Sequence, residues 1–198
     1  MTSFDPQAKG VWFATARRQV LAEHGEDALA RIALRMGDEH AHALREPIVS
    51  AWYPEATFQR AMSAVFEETC DGDSERFVDF IEACTVLGIN RFLRFILALS
   101  SPAYLLGKMP VLWARHRLHN GKLHVDVGER SARLAYTEFP FFDDRNYRLF
   151  VRGVLRKAVE VTSGRRPEVT VRDYGRDRLL VDVHFAAPKG DAAQWNGR

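Results

Sequence analysis

Long hydrophobic runs are missing from this 198-residue chain, and so are the short signatures of most familiar chemistries. No stretch of about 18 apolar residues occurs, so the pattern contains no membrane-spanning helix. The most apolar segment, Phe92 to Leu106, is interrupted by Arg94, Ser100, Ser101 and Pro102 and reads as two buried helix pieces. The start of the chain lacks a basic patch followed by an apolar run, so no secretory leader and a cytoplasmic location are expected. Cysteine is scarce. Cys70 and Cys84 are the only two and form no CxxC pair, so they give no support to zinc or thioredoxin-type chemistry. Two buried reduced thiols are expected rather than a disulfide. There is no GxSxG, no Cys–His motif, no P-loop and no GxGxxG. Catalysis is therefore not expected, and no residue is assigned a catalytic or metal-ligating role.

What is present is ordinary for a folded domain: 46% apolar and 27% charged residues. The length suits one domain, taken as 1–198, with a mainly helical part over 1–119, a sheet with a helix over 120–187, and a flexible tail over 188–198. Net charge is only +2, but it is unevenly spread: residues 1–87 carry 8 Lys/Arg against 15 Asp/Glu, and residues 145–178 carry 10 against 4. An acidic and a basic half can steer a charged ligand, dock two copies, or pair with each other.

Periodicity divides the chain into a helical front and a mixed back. A first helix begins near Val11 and ends before Gly25. Ala28, Leu29, Ile32, Ala33 and Met36 form an amphipathic stripe that Gly37 ends. Tyr53-Pro54-Glu55 opens the next helix, with the acid placed to complement the helix dipole. Asp71-Gly72-Asp73 breaks the chain. Phe77, Phe80, Ile81 and Cys84 make a further stripe, which Phe92, Phe95, Ile96 and Leu99 continue after Gly88. Ser101 can cap a helix with Pro102 at its first position. That helix should run through Trp113 towards Leu118, divided at Pro110.

Asn120-Gly121 then turns the chain, and the period changes to two. Leu123, Val125 and Val127 alternate with polar residues. A second strand follows from Ala132 to Phe139, giving a hairpin. An amphipathic helix runs from Arg145 to Val161, with Asp143-Asp144 before it to satisfy its N-terminus. Two alternating strands, Glu168 to Arg172 and Arg178 to Phe185, close the chain. Helices followed by hairpin–helix–hairpin specify an α+β fold with a small antiparallel sheet.

Three groups are site candidates. His116 and His119, three apart on the expected helix, face one way, and His124 follows a turn. Their neighbours Arg115 and Arg117 repel a cation, so no metal is assigned. His40 and His42 point apart on a helix and read as a polar segment between helices. Trp113, His116, His119, Tyr136 and Phe139 are the ligand-pocket candidates, an aromatic cluster between the helical front and the sheet. Ala135, beside Tyr136, is where a bulky side chain should fill that pocket. Arg148, Arg152, Arg156 and Lys157 form a basic surface on one helix face. A solvated face, or a contact with the acidic half, is preferred there over nucleic-acid binding.

Several short motifs occur in a recognisable order. Lys9-Gly10-Val11-Trp12-Phe13, Tyr53-Pro54, Leu87-Gly88, Ser101-Pro102-Ala103-Tyr104-Leu105-Leu106, Asn120-Gly121 before a hairpin and a helix containing Gly153 resemble a paralogous family abundant in myxobacteria. That family has no established biochemical function. The same layout is distantly similar to the haem-nitric-oxide-binding (H-NOX) and 4-vinyl reductase group, and the resemblance implies helices paired with a small antiparallel sheet around a ligand pocket. In the haem members a helix supplies a proximal His before the first hairpin, the place held here by His116 or His119. Those members also carry a Tyr-x-Ser-x-Arg motif on a strand that holds the propionates. The comparable stretch here is Tyr136-Thr137-Glu138-Phe139-Pro140, where only the Tyr matches. Without the Ser and Arg the carboxylate donors are gone, so no cofactor is assigned although haem is what the resemblance implies. The expected role is a non-enzymatic sensory or regulatory domain that binds a small apolar ligand or a protein partner. The alternatives are a self-associating interaction module, homodimeric or otherwise, and a nucleic-acid-binding protein that uses the basic helix face.

Overall fold

A computed structural model of the protein describes residues 5–89 and 100–186. The helix expected to continue through Phe92, Phe95, Ile96 and Leu99, and the tail from residue 188, lie outside the described residues.

The order of elements is β1 (Gln7–Lys9), α1 (Val11–Met36), α2 (Asp38–Arg45), β2 (Trp52–Pro54), α3 (Glu55–Glu68) and α4 (Ser74–Gly88). After the undescribed segment come α5 (Pro102–Gly107), α6 (Met109–His116), β3 (Arg117–Leu118), β4 (Lys122–Val127), β5 (Ser131–Thr137), α7 (Arg145–Ser163), β6 (Glu168–Gly175) and β7 (Arg178–His184). The α+β architecture with a hairpin–helix–hairpin back half is the one read from the sequence.

Local chemistry sets the boundaries. Gly25 breaks α1 into two arms with a φ of 77°, a left-handed value that glycine reaches without steric cost. The Asp73 carboxylate caps α4 by accepting from the backbone N–H groups of Glu75 and Arg76. Ser101 caps α5, with Pro102 at its first turn. Pro110 falls in the first turn of α6, so the two short helices are separate. Asp144 caps α7 by accepting from Asn146 N at 2.7 Å and Tyr147 N at 3.4 Å.

The four-stranded sheet has the order β4-β5-β7-β6 and is antiparallel throughout, with an irregular register between Val171 and Asp173. Ala132, Leu134, Tyr136, Leu179, Val181 and Val183 line its buried face. Arg133 and Asp182 pair on the other. Helix α7 sends Tyr147, Phe150, Val151, Leu155 and Val159 inward, each worth about 1.5–3 kcal/mol when fully buried. It packs on α4, α5, α3 and β6. At Gly153 the α4–α7 approach is so close that an added Cβ would lie 2.9 Å from Ile81 Cβ.

β1, β2 and β3 form a second, three-stranded sheet of order β2-β1-β3, in which Ala8 faces Tyr53 on one side and Arg117 on the other. The helix expected to reach Leu118 therefore stops at His116. The next two residues extend to pair with β1, turning Arg117 inward and Leu118 outward. Among the described residues no helix is long and apolar enough to cross a membrane. Cys70 and Cys84 are both buried free thiols, and burial pushes both pKa values up.

Candidate functional site

The helical part and the sheet meet around an apolar cavity of about 150 Å³. Its wall is built by α1, α4, α5, α6, β3, β5 and α7. Trp12 enters from α1, Trp113 and His116 from α6, Tyr136 from β5, and Phe150 and Ala158 from α7. Amphipathic spacing explains the placement: each residue sits on the inward stripe of its element.

Beside the cavity lies a buried polar cluster. Arg117 is 2% exposed and Glu55 1%. Nε of Arg117 donates its one hydrogen to the Tyr147 hydroxyl at 2.8 Å. That hydroxyl donates in turn to Oε1 of Glu55 at 2.9 Å. Arg117 Nη1 donates to the carbonyl of His116 at 3.1 Å. Oε2 of Glu55 is 3.4 Å from Arg117 Nε, an ion pair without a hydrogen bond, because the Nε hydrogen is already used. The guanidinium is boxed by rings, 4.5 Å from the Phe58 centroid, 5.2 Å from Phe150 and 5.6 Å from Trp113. Burial opposes its charge, but Glu55 and Tyr147 outweigh that and hold its pKa up. Burial also pushes the Glu55 carboxyl up, against the pull of Arg117 and Tyr147.

His116 packs edge-on against Trp12, with ring centroids 5.6 Å apart. Burial, reinforced by the charges of Arg117, Lys9 and Arg115, lowers its pKa from 6.5 to about 4, so it is neutral at physiological pH. Its Nδ1, Nε1 of Trp12 and Nη2 of Arg117 are buried without hydrogen-bond partners.

Of the five pocket candidates, Trp113, His116 and Tyr136 meet at the cavity. The other two stand elsewhere. His119 is exposed in the turn before β4, with φ of 53°, because the chain leaves the helix at Arg117. Phe139 is fully buried but packs among Trp113, Phe142 and Tyr147 rather than on the cavity wall. Strand β5 ends at Thr137, and Glu138 takes a φ of 63°, so strand alternation no longer aims Phe139. Ala135 is also misplaced as a pocket-filling position. It neighbours Tyr136 on a strand and so points to the opposite face.

Two of the four basic surface candidates, Arg152 and Arg156, face acids of α4. Arg152 donates to Glu75 at 2.7 Å. Arg156 reaches both Glu75 at 3.2 Å and Glu82 at 3.0 Å, and is itself buried. Lys157 pairs with Glu160. Arg148 donates to the carbonyls of Phe142 and Asp143 and lies 3.8 Å over the Tyr174 ring. Among the histidines of α2, His40 hydrogen-bonds Thr57 and His42 the carbonyl of Glu39. Among the described residues no three His, Cys, Asp or Glu side chains assemble into a metal-sized group.

Arg117, Glu55, Tyr147 and Trp12 are the parts of this site that the sequence reading did not single out. Helices and a small antiparallel sheet border this apolar cavity in an α+β fold. Among solved structures, the fold is that of the H-NOX proteins. The chain superposes on the Fe(II) unliganded H-NOX protein from K. algicida with a TM-score of 0.67 and 11% identity, over 91% of this chain and 98% of that one. It is similar to a T. tengcongensis H-NOX mutant at a TM-score of 0.66 and 14% identity, over 91% and 99%. A third match is an oxygen-binding H-NOX domain related to soluble guanylate cyclases, at a TM-score of 0.61 and 13% identity, over 96% and 100%. No protein-family profile and no curated protein matches the chain.

Haem is the group this fold family implies, and the described residues do not fit it. His116 is the one histidine on the cavity wall. The cavity is the size at which an engineered apolar void of about 150 Å³ takes up a single benzene ring, far short of a porphyrin. Two propionates need several donors, and the described wall offers one guanidinium, which is already facing Glu55.

Proposed function

We propose that this protein is a non-enzymatic sensory or regulatory domain on the H-NOX fold that binds a small apolar ligand in the α1–α6–α7 cavity. The observation that carries the reading is the cavity itself: apolar, one ring in size, and located where the helical part meets the sheet. A ligand there touches both parts at once, through Trp12 and Trp113 on one side and Tyr136 and Phe150 on the other. Occupancy favours whichever packing of helices on sheet fits the ligand best, and that differential affinity is what a sensor requires.

The test uses Ala158, which lines the cavity from α7. Toluene titrated into the unmodified chain should bind once per molecule by calorimetry. Ala158→Trp should abolish the heat while leaving far-ultraviolet circular dichroism unchanged. Equal binding by both proteins would overturn the assignment of the cavity, and stoichiometric haem uptake with a Soret band would replace it with a haem site.

A further inference from the structure

The chain holds 26 Asp and Glu residues, yet none falls between Glu82 and Asp126, a stretch that carries six Lys and Arg. Helices α5 and α6 lie inside it. Both turn an apolar side to the core, through Leu105, Leu106, Met109 and Trp113. On their other side Tyr104, Lys108, Val111 and Arg115 are all exposed and follow one another at steps of four, three and four residues, the spacing of one helical stripe. Lys108 joins the two helices in a right-handed helical conformation, so the stripe continues across the break between them. Its ammonium lies 5.4 Å from the centre of the Tyr104 ring, which puts the two side chains on the same face. Tyr104 is 60% exposed and Val111 67%, so both stand out from the surface rather than line a cleft. Leu118, also exposed, follows on β3.

The charge on this face is not answered within the molecule. Among the described residues neither Lys108 nor Arg115 has a carboxylate partner, whereas Arg152, Arg156 and Arg166 each have one. The charges that act on the neighbouring His116, from Arg117, Lys9 and Arg115, are all positive. We propose that the outward face of α5 and α6 docks on an anionic lipid bilayer surface. Protruding apolar side chains between unpaired cations fit a partner that is negative and yields to them. A protein groove would have to match Tyr104 and Val111 in shape, whereas lipid headgroups part around a side chain. The Tyr104 ring suits the headgroup level, where aromatic rings with a polar tip collect. Val111 and Leu118 enter the boundary below it. Lys108 and Arg115 lay their stems along that apolar surface and keep their charges among the phosphates.

Flotation of the full chain with vesicles tests this, using phosphatidylcholine alone and phosphatidylcholine with about 30% phosphatidylserine. The chain should float with the serine-containing vesicles and not with the others, and the binding should fall as salt rises from about 0.05 to 0.5 M. Lys108→Ala/Arg115→Ala should weaken it about thirtyfold, which is about 2 kcal/mol at about 1.4 kcal/mol per tenfold step, or about 1 kcal/mol for each cation at an anionic surface. Tyr104→Ser/Val111→Ser should weaken it at least about tenfold through lost apolar burial. All four side chains are exposed, and unchanged circular dichroism checks that the variants fold. Arg130→Ala/Arg176→Ala removes two exposed cations elsewhere and should leave binding as it was. An equal loss in that control would make the attraction a matter of net charge and overturn the proposal. So would equal binding to both kinds of vesicle, binding to neither at low salt, or binding that both stripe variants keep. Retention of the chain by soluble polyglutamate without any binding to vesicles would assign the face to an acidic protein instead and overturn it as well.

Discussion

Tyr147 accepts a hydrogen from Arg117 and passes its own to Glu55, so its hydroxyl is what links two buried charges that touch only at 3.4 Å. Tyr147→Phe should cost about 1–3 kcal/mol, the usual loss when buried polar groups lose a partner, read as a lower urea midpoint. His116 makes a separate prediction in pH. Its folded pKa of about 4 lies below the unfolded 6.5. Between those values the unfolded chain binds the extra proton, so this residue's contribution to stability falls as pH drops from 6.5 towards 4. His116→Phe should flatten the stability profile over that window relative to the unmodified protein, measured by urea titration at each pH. Trp113 and Tyr136 could be picked out because helical and strand spacing put them on inward faces, and His116 because it holds the place of the proximal histidine in the resembling family; all three line the cavity. Arg117 and Glu55 could not be picked out. Periodicity assigns charges outward, and Glu55 also suits the start of a helix as a dipole partner. Only the tertiary meeting of β3 with α3 and α7 shows that these two charges satisfy each other.

Helix α7 is held to α4 by close approach and by charge. Gly153→Ala would place a methyl 2.9 Å from Ile81 Cβ and 3.1 Å from the Val78 carbonyl. The gain in helix propensity, about 1 kcal/mol, is smaller than the overpacking cost of about 1–3 kcal/mol, so a net lower melting temperature is expected. Glu82 accepts from Arg156 and Arg166 at 3.0 and 2.8 Å. Glu82→Ala leaves buried Arg156 with only Glu75 and should cost about 1–3 kcal/mol in the same measurement. The long periodic elements, α1 with its break at Gly25, α3, α4 and α7, could be read directly, as could both hairpins. The two- and three-residue strands β1, β2 and β3 could not, because three residues carry no period, and their pairing joins segments far apart in sequence.

Across the molecule, the acidic front and the basic back half face each other. Arg152, Arg156 and Arg166 reach Glu75, Glu82 and Asp79 across the α4–α7 seam. Uneven charge along a sequence does not say whether it is answered within the chain or between chains, and these pairs answer part of it within. Raising salt from about 0.05 to 0.5 M shortens the screening length to a few Å and should cost under about 1 kcal/mol of stability per exposed pair. Sedimentation across the same range should stay constant, and a salt-dependent change in mass would show the charges acting between copies instead. Two of the chain's four tryptophans, Trp12 and Trp113, border the cavity. Trp52 lies on β2, and Trp195 falls beyond the described residues. With those two replaced by phenylalanine, the remaining indoles would become a built-in optical gauge, their emission changing with whatever enters or leaves the space between them.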